Sequence, residues 1–265
     1  MSETFFDLEL DDGTEWFRPT DACRGPWDPD ACHAGPPTGL LARAAERAIP
    51  GQRLVRILVD LVRPIPHAGF RIDARVERTG RTVTTTVLTL LDRDDRPVVT
   101  ARGMHLTEQP VRSLPTPPAG TPRLADASPG QFAIGHGAHG LPMFSSGVEM
   151  RYPAGDDHLP GPTTAWMRTL PLLPGEEASG FQRICPLADC GNAISRNDEP
   201  GRFAFVNTDL VLYVHREPVG EWFGSQAISY WEQDGIGIAD ALLFDDQGPV
   251  GRAVQGLVIR TSEGS

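Results

Sequence analysis

The sequence contains no lysine, so all 24 of its basic residues are arginines. Without lysine, the chain cannot form a Schiff base, attach pyridoxal phosphate or build a lysine-bearing phosphate loop. Its 35 acidic residues give a net charge of −11, which argues against nucleic acid or an anionic membrane surface as a partner. Long apolar runs are also missing, so the sequence predicts no transmembrane helix.

Cysteine is scarce, and its spacing matches no metal site. The members of the two cysteine pairs are separated by eight and four residues, and no histidine completes a zinc-ligand pattern: Cys23, Cys32, Cys185 and Cys190. We therefore expect no metal and no cofactor. The N-terminus is acidic where a signal peptide would be basic, so we expect reduced thiols and a cytoplasmic location.

Two short motifs exclude further classes of enzyme. The sequence has no GxSxG, so the α/β-hydrolase route to ester hydrolysis is unsupported. Residues 135–140 spell GxGxxG, but this run follows no predicted strand and opens no predicted helix. It therefore lacks the context of a dinucleotide-binding turn.

A weak internal repeat relates the two parts of the chain. The run LVRPIP, with Arg63, resembles YVHREPVG, with Arg216, at an offset of 153 residues. Further on, LLDRDDRPVVTARGMHL resembles LLFDDQGPVGRAVQGLVI and aligns Pro97 with Pro249 at an offset of 152. Two landmarks that share almost the same offset indicate a duplication.

Each half contains the same order of elements. In the first half, a helix predicted over residues 36–50 has prolines in its first turn. In the second half, a short helix is predicted within LADCGNAIS. Each helix is followed by four β-type runs, at 53–63, 70–79, 81–92 and 97–107, and at 203–216, 221–232, 236–245 and 249–260. A helix followed by an antiparallel meander is typical of a sheet wrapped around a central helix.

The two halves are joined by a proline-rich segment. Proline occurs at 110, 115, 117, 118, 122 and 129, a density that excludes the segment from a sheet interior. We therefore divide the chain into an N-terminal domain (1–107), a linker (108–140) that crosses the outside of the molecule, and a C-terminal domain (141–265).

Several of these runs, in this order, resemble the acyl-CoA thioesterase II-like family: HAGPPTGLLARAAE, LVRPIP, TDLVLYVHREP and DGIGIADALLFDDQGPVGRAVQ. The resemblance covers roughly residues 10–110 and 145–262. It implies an α+β fold, a double hotdog in which two tandem domains each wrap an antiparallel sheet around a central helix. It further implies a homo-oligomer that hydrolyses acyl-CoA thioesters through a directly attacking water, with the acyl chain in an apolar tunnel between the two helices.

The resemblance also implies three catalytic residues. The family's aspartate corresponds to Asp189, its glutamine to Gln255, and its Thr/Ser-type position to Asn207, where this sequence has an amide in place of a hydroxyl. Gly191, in the first turn of the short helix, would let a substrate approach the backbone closely.

The residues themselves allow other roles. Asp189 precedes a predicted helix, where a carboxylate commonly caps free N–H groups. By strand parity, Gln255 lies on an apolar face, where a buried amide needs a polar partner. The same parity places Asn207 and Asp209 on one strand face and Leu210 on the other. Asp209 stays outside the predicted site.

The duplication provides an internal comparison. Subtracting the offset aligns Pro36 with Asp189, Leu54 with Asn207 and Gly103 with Gln255. The first half therefore lacks all three polar groups at the aligned positions. We therefore expect one chemically active site and one that is blank.

Two alternative functions remain open. Hotdog hydratases and dehydratases use a histidine with a carboxylate, and His33 precedes the first helix in a turn that we expect to be exposed. A non-catalytic acyl-CoA or acyl-carrier binding protein would explain Asn207 as a loss of activity.

Overall fold

The computed structural model describes residues 3–116, 120–137, 139–199 and 201–261. The first half contains β1 (Phe6–Asp11), β2 (Thr14–Pro19), α1 (Gly35–Ala48), β3 (Arg53–Leu61), β4 (Phe70–Arg78), β5 (Val83–Leu91) and β6 (Pro97–Leu106). The second contains β7 (Ser128–Gly130), β8 (Val148–Tyr152), β9 (Thr163–Thr169), α2 (Gly180–Ala188), α3 (Gly191–Ile194), β10 (Phe203–Asn207), β11 (Asp209–Val214), β12 (Phe223–Trp231), β13 (Ile236–Asp245) and β14 (Gly248–Thr261).

All of these strands belong to one antiparallel sheet. Its order is β1-β2-β4-β5-β6-β3-β11-β14-β13-β12-β9-β8-β7, and β10 pairs with β14 beside β11. The two halves meet edge to edge where β3 pairs with β11. The helices pack on one face of the sheet, which we call the inner face. The predicted double hotdog is therefore confirmed. The helices of the two halves lie on the inner face of a single continuous sheet.

The strand register reproduces the offsets that the sequence predicted. Leu58 pairs with Val211, which lies 153 residues further on, so the pseudo-twofold axis passes through this pair. Leu58 also pairs with Arg102, and Val211 pairs with Val254, which lies 152 residues after Arg102. The duplication therefore holds residue by residue across the centre of the sheet.

The helices differ between the halves. α1 is a single helix of 14 residues, whereas the second half has a nine-residue α2 and, after a break at Asp189 and Cys190, a four-residue α3. The sequence predicted only the short helix. The longer helix α2 was not predicted because it contains Pro186, a residue that disfavours helix interiors. The first turn of α2 is capped by the Ser179 hydroxyl, which accepts the Gln182 N–H.

α1 and α2 pack directly against each other, so the expected acyl tunnel between the helices is wrong at this contact. A Cβ added to Gly35 would lie 2.8 Å from Pro186 Cα in α2, and one added to Gly39 would lie 3.0 Å from the Gln182 carbonyl oxygen in α2. Glycine at both positions lets the helices approach closely, which closes the space between them at this contact.

The segment between the halves is only partly external. β7 pairs with β8 at the edge of the sheet, which a proline-containing strand permits. Phe132, Ala133 and Ile134 are buried in the core, which corrects the expectation that the whole segment crosses the outside. Pro117 and Pro118 lie outside the described residues. No helix among the described residues is long and apolar enough to span a membrane.

Candidate active site

Asp189 lies in the break between α2 and α3, and only 3% of its surface is exposed. The expected capping role is wrong, because Cys190 is the N-cap of α3 and no side chain caps that helix. The α2–α3 break instead directs the carboxylate towards side chains from β10, β14 and the N-terminal half. A buried carboxylate is stable only when its oxygens accept hydrogen bonds, and Asp189 accepts several.

Asn207 and Gln255 both donate to the same carboxylate oxygen. Asn207 Nδ2 lies 2.8 Å from Asp189 Oδ1, and Gln255 Nε2 lies 3.1 Å from it. Gln255 Nε2 also donates to the Asp189 backbone carbonyl at 3.0 Å, while its Oε1 accepts the Asn192 N–H at 3.1 Å. The three residues predicted from the sequence therefore lie together, and Gln255 fixes both the aspartate and the start of α3.

The two amides reach Asp189 from neighbouring strands of the inner face. Gln255 is buried between Ala253 and Leu257 on β14, as its strand parity predicted. The parity prediction for Asn207 was wrong, because an extra residue at Thr208 separates β10 from β11. Pairing shifts by one residue between Asn207↔Leu257 and Val211↔Val254, so Asn207 and Leu210 both point inwards.

Asp209 stabilises this irregularity. Its Oδ1 accepts the Gly256 N–H at 2.6 Å, and the Thr208 N–H donates to the Gly256 carbonyl at 2.9 Å. These bonds satisfy backbone groups that the irregular pairing would otherwise leave free. Asp209 therefore supports the position of Asn207 from outside the cluster.

Gly191 lies against the glutamine of the cluster. A Cβ added to it would lie 3.1 Å from Gln255 Oε1 and 3.7 Å from the Ala239 Cβ. The missing side chain therefore gives Gln255 the space to reach the Asn192 N–H.

His33 joins the cluster from the N-terminal half. Its Nδ1 lies 3.0 Å from Asp189 Oδ2 and 3.2 Å from the Gly35 backbone nitrogen. A protonated Nδ1 donates to the carboxylate, and an unprotonated Nδ1 accepts the Gly35 N–H. The ring stacks on Phe144 with 4.0 Å between centroids, and its side chain is 11% exposed, so the expected exposed turn was wrong.

Cys190 lies on the other side of this histidine. Its Sγ is 4.0 Å from His33 Nε2 and donates to the Pro186 carbonyl at 3.1 Å. Burial, followed by the neighbouring Asp189 carboxylate, raises the pKa of the Cys190 thiol well above its ordinary value. Because only a thiolate is an effective nucleophile, this arrangement favours an attacking water over a cysteine acyl-enzyme.

The equivalent place in the N-terminal half is filled differently. Leu54 pairs with His105 as Asn207 pairs with Leu257, which confirms the alignment of Leu54 with Asn207. Around Gly103, the buried hydroxyl of Thr86 lies 3.1 Å from His105 Nε2. Burial lowers the pKa of His105 to about 4, so this histidine is neutral at physiological pH.

Family models match both halves of the chain. Residues 23–106 match the acyl-CoA thioesterase N-terminal domain, and residues 117–259 match the acyl-CoA thioesterase C-terminal domain. No curated protein matches the sequence.

Solved structures with the same fold extend over almost the whole chain. One is a hot dog fold protein of unknown function from Alicyclobacillus acidocaldarius, with a TM-score of 0.72, 16% identity and 96% of each chain covered. Another is a putative thioesterase II from Thermobifida fusca, with a TM-score of 0.72, 16% identity, and 97% of this chain and 96% of that chain covered. A third is the acyl-CoA thioesterase II TesB2 from Mycobacterium marinum, with a TM-score of 0.61, 15% identity, and 98% and 96% covered. At these identities the structures support the fold, while the matched N- and C-terminal domains carry the assignment: this chain belongs to the acyl-CoA thioesterase family.

Proposed function

We propose that the protein hydrolyses an acyl-CoA thioester to the free acid and CoA by direct attack of a water held at Asp189. The observation that carries the proposal is the convergence of Asn207, Gln255 and His33 on one buried carboxylate. We also propose that the enzyme acts in lipid metabolism in the cytoplasm as a homo-oligomer.

Asp189 is the proposed general base. The two amide donors hold Oδ1, so the carboxylate is fixed in position to accept a proton from the attacking water. Asn207 replaces the hydroxyl of the family pattern as a donor to this carboxylate, and its own carbonyl oxygen can orient the water. Gln255 is a positioning residue, since both ends of its amide bind Asp189 and α3.

His33 and Gly191 complete the proposed site. His33 Nδ1 lies within hydrogen-bond distance of Asp189 Oδ2 and so helps to orient the carboxylate. The Gly191 backbone, next to Asp189 at the start of α3, is where the substrate approaches. Polarisation of the thioester carbonyl by backbone N–H groups would then assist the attack.

A second candidate function rests on the His33–Asp189 contact. A histidine beside a carboxylate can also exchange a proton with the carbon chain of an enoyl or hydroxyacyl thioester, as hydration and dehydration require. In that reaction the thioester bond stays intact and no thiol is released.

One assay distinguishes the candidates. Purified protein is mixed with a panel of saturated acyl-CoAs and an enoyl-CoA, and free thiol and enoyl absorbance are followed in parallel. Release of thiol from the saturated esters supports the thioesterase. Loss of enoyl absorbance without thiol identifies a hydratase, and binding without either reaction identifies a binding protein.

A further inference from the structure

The second half leaves part of its inner face uncovered. α3 ends at Ile194 after four residues, whereas α1 continues for 14 residues over the corresponding face of the first half. Beyond the end of α3, Phe203 and Trp231 point inwards but are only half-buried. Solvent therefore reaches inward-facing aromatic side chains here.

Four aromatic side chains meet in this place, and we call them the aromatic wall: Trp27, Phe203, Phe205 and Trp231. Ring centroids are 5.4 Å apart for Trp27 and Phe205, 5.2 Å for Phe205 and Trp231, and 6.0 Å for Phe203 and Trp231. Two of these contacts are edge-to-face and one is tilted. Trp27, from the loop that leads to His33, is 41% exposed.

The wall begins next to the catalytic cluster. Phe205 and Asn207 are alternate residues on the inner side of β10, about 7 Å apart along the strand. Trp231 and Ile259 meet over Gly237, where a Cβ would lie 2.9 Å from Ile259 Cδ1 and 3.3 Å from Trp231 Cδ1. Because Gly237 on β13 has no side chain, Trp231 and Ile259 can pack closely against the backbone of the sheet.

Two residues of the wall have no aromatic counterpart in the first half. The offset of 153 residues aligns Pro50 with Phe203 and Gln52 with Phe205. The part of the wall on β10 therefore accompanies Asp189 and is not repeated at the aligned positions of the first half, as expected for a part of the substrate site.

We propose that the aromatic wall binds the acyl group of the substrate and selects a ring-bearing acyl thioester, such as an arylacetyl-CoA, over a straight chain. This inference rests on the proposed function, because it assigns the substrate class of the same site. A planar ring gains edge-to-face contacts beyond the burial of its area, and it loses little rotational freedom on binding. The close contact of α1 with α2 at Gly35 and Gly39 closes the space between the helices there.

The ring is that of the acyl group and not the adenine of CoA. Phe205, in the wall, lies only two residues from Asn207 on β10. In CoA, by contrast, the whole pantetheine arm separates the adenine from the thioester. An acyl-pantetheine without the nucleotide should therefore keep the same preference for a ring.

The test compares phenylacetyl-CoA with octanoyl-CoA, two substrates of equal carbon number, by their kcat/KM for thiol release. We expect the natural protein to favour phenylacetyl-CoA by about tenfold, and Trp231→Leu to remove most of this ratio. The control is Tyr230→Leu, on the neighbouring residue of β12, whose side chain is on the outer face and 53% exposed. The control should keep both the ratio and the rates.

Folding and binding are measured alongside. Thermal unfolding checks each variant, and Phe203→Leu serves as the second wall variant if Trp231→Leu is unfolded. Quenching of tryptophan fluorescence measures binding of both thioesters to the natural protein and to Asp189→Asn, which we expect to hydrolyse them slowly. A ring preference in binding with no thiol release would overturn the proposed function and keep this inference. Equal or better use of octanoyl-CoA, or a preference that persists in a folded wall variant, would overturn the inference.

Discussion

The two halves share a strand order and differ in their helices, and this difference separates scaffold from chemistry. In the first half, one long helix covers the sheet, and Pro36, the counterpart of Asp189, lies in its first turn. In the second, the helix breaks at Asp189 and leaves its carboxylate free to meet Asn207 and Gln255. A break in a central helix thus places a charged group at the inner face without removing a strand.

The polar groups of the two halves also differ in what they can do. Thr86 and His105 bond to each other in a fully buried site, and the pKa of His105 is lowered to about 4. The carboxylate of Asp189 instead meets donors from both halves, including His33. The first pair therefore fits a structural role, and the second cluster is the site for which catalysis is proposed.

Removing the glutamine from the active half should have the larger effect on turnover. Gln255→Ala takes away a donor to Asp189 and the acceptor of the Asn192 N–H. We expect kcat to fall by about 10- to 100-fold, since a hydrogen bond to a charged group contributes about 1.5–3 kcal/mol. Thiol release measures the change, with Gln226→Ala on the outer face as control.

A double variant sharpens this expectation. Groups that act on one water are non-additive, so Asp189→Asn combined with Gln255→Ala should lose less than the product of the separate losses. Strictly multiplicative losses would contradict a shared role for the two residues.

A methyl group in the first half should affect stability and leave catalysis alone. The Cβ of Gly103→Ala would lie 2.4 Å from the Thr86 hydroxyl and 3.2 Å from His105 Nε2. Such overpacking costs about 1–3 kcal/mol of unfolding free energy, which urea titration can measure. Gly120→Ala, which meets no atom within 4 Å, is the matched control. A loss of activity per folded molecule in Gly103→Ala would place chemistry in this half too.

The last expected effect, which needs no substitution, is a pH dependence of stability. Folded His105 binds its proton only near pH 4, whereas an unfolded histidine does so near 6.5. The unfolded state therefore holds more protons between these values, and stability should fall by up to about 3 kcal/mol as pH decreases from 6.5 to 4.

Copying the second half into the first tests this assignment. Thr86→Ala with His105→Leu introduces the counterparts Ala239 and Leu257, neither of which titrates. The unfolding free energy of this variant should then change less steeply with pH than that of the natural protein, because the contribution of His105 is gone. An unchanged slope would show that other groups cause it.

Periodic features of the sequence predicted most of the fold, whereas local irregularities caused the errors. The repeat predicted the offset that Leu58 and Val211 show, and strand parity predicted the burial of Gln255. Parity failed for Asn207 because one extra residue reverses the alternation. α2 was missed because Pro186 disfavours a helix in any local pattern.

The contact between His33 and Asp189 could not be predicted from either residue's neighbourhood. The two residues come from different halves and meet only because the sheets join through β3 and β11. The alignment of Asp189 with Pro36, three residues after His33, was the available signal. A pseudo-twofold axis brings the start of one helix near its counterpart in the other half.

Substitution of Asp189 tests the central claim most directly. Asp189→Asn keeps an oxygen for Asn207 and Gln255 and offers an N–H to His33, so the fold should persist while the proton acceptor is lost. We expect thiol release to fall by about 10²- to 10⁴-fold, while the temperature of thermal unfolding changes little. The control variant Asp240→Asn, on the outer face, should release thiol at the rate of the natural protein. Undiminished thiol release by a folded Asp189→Asn protein would contradict the account.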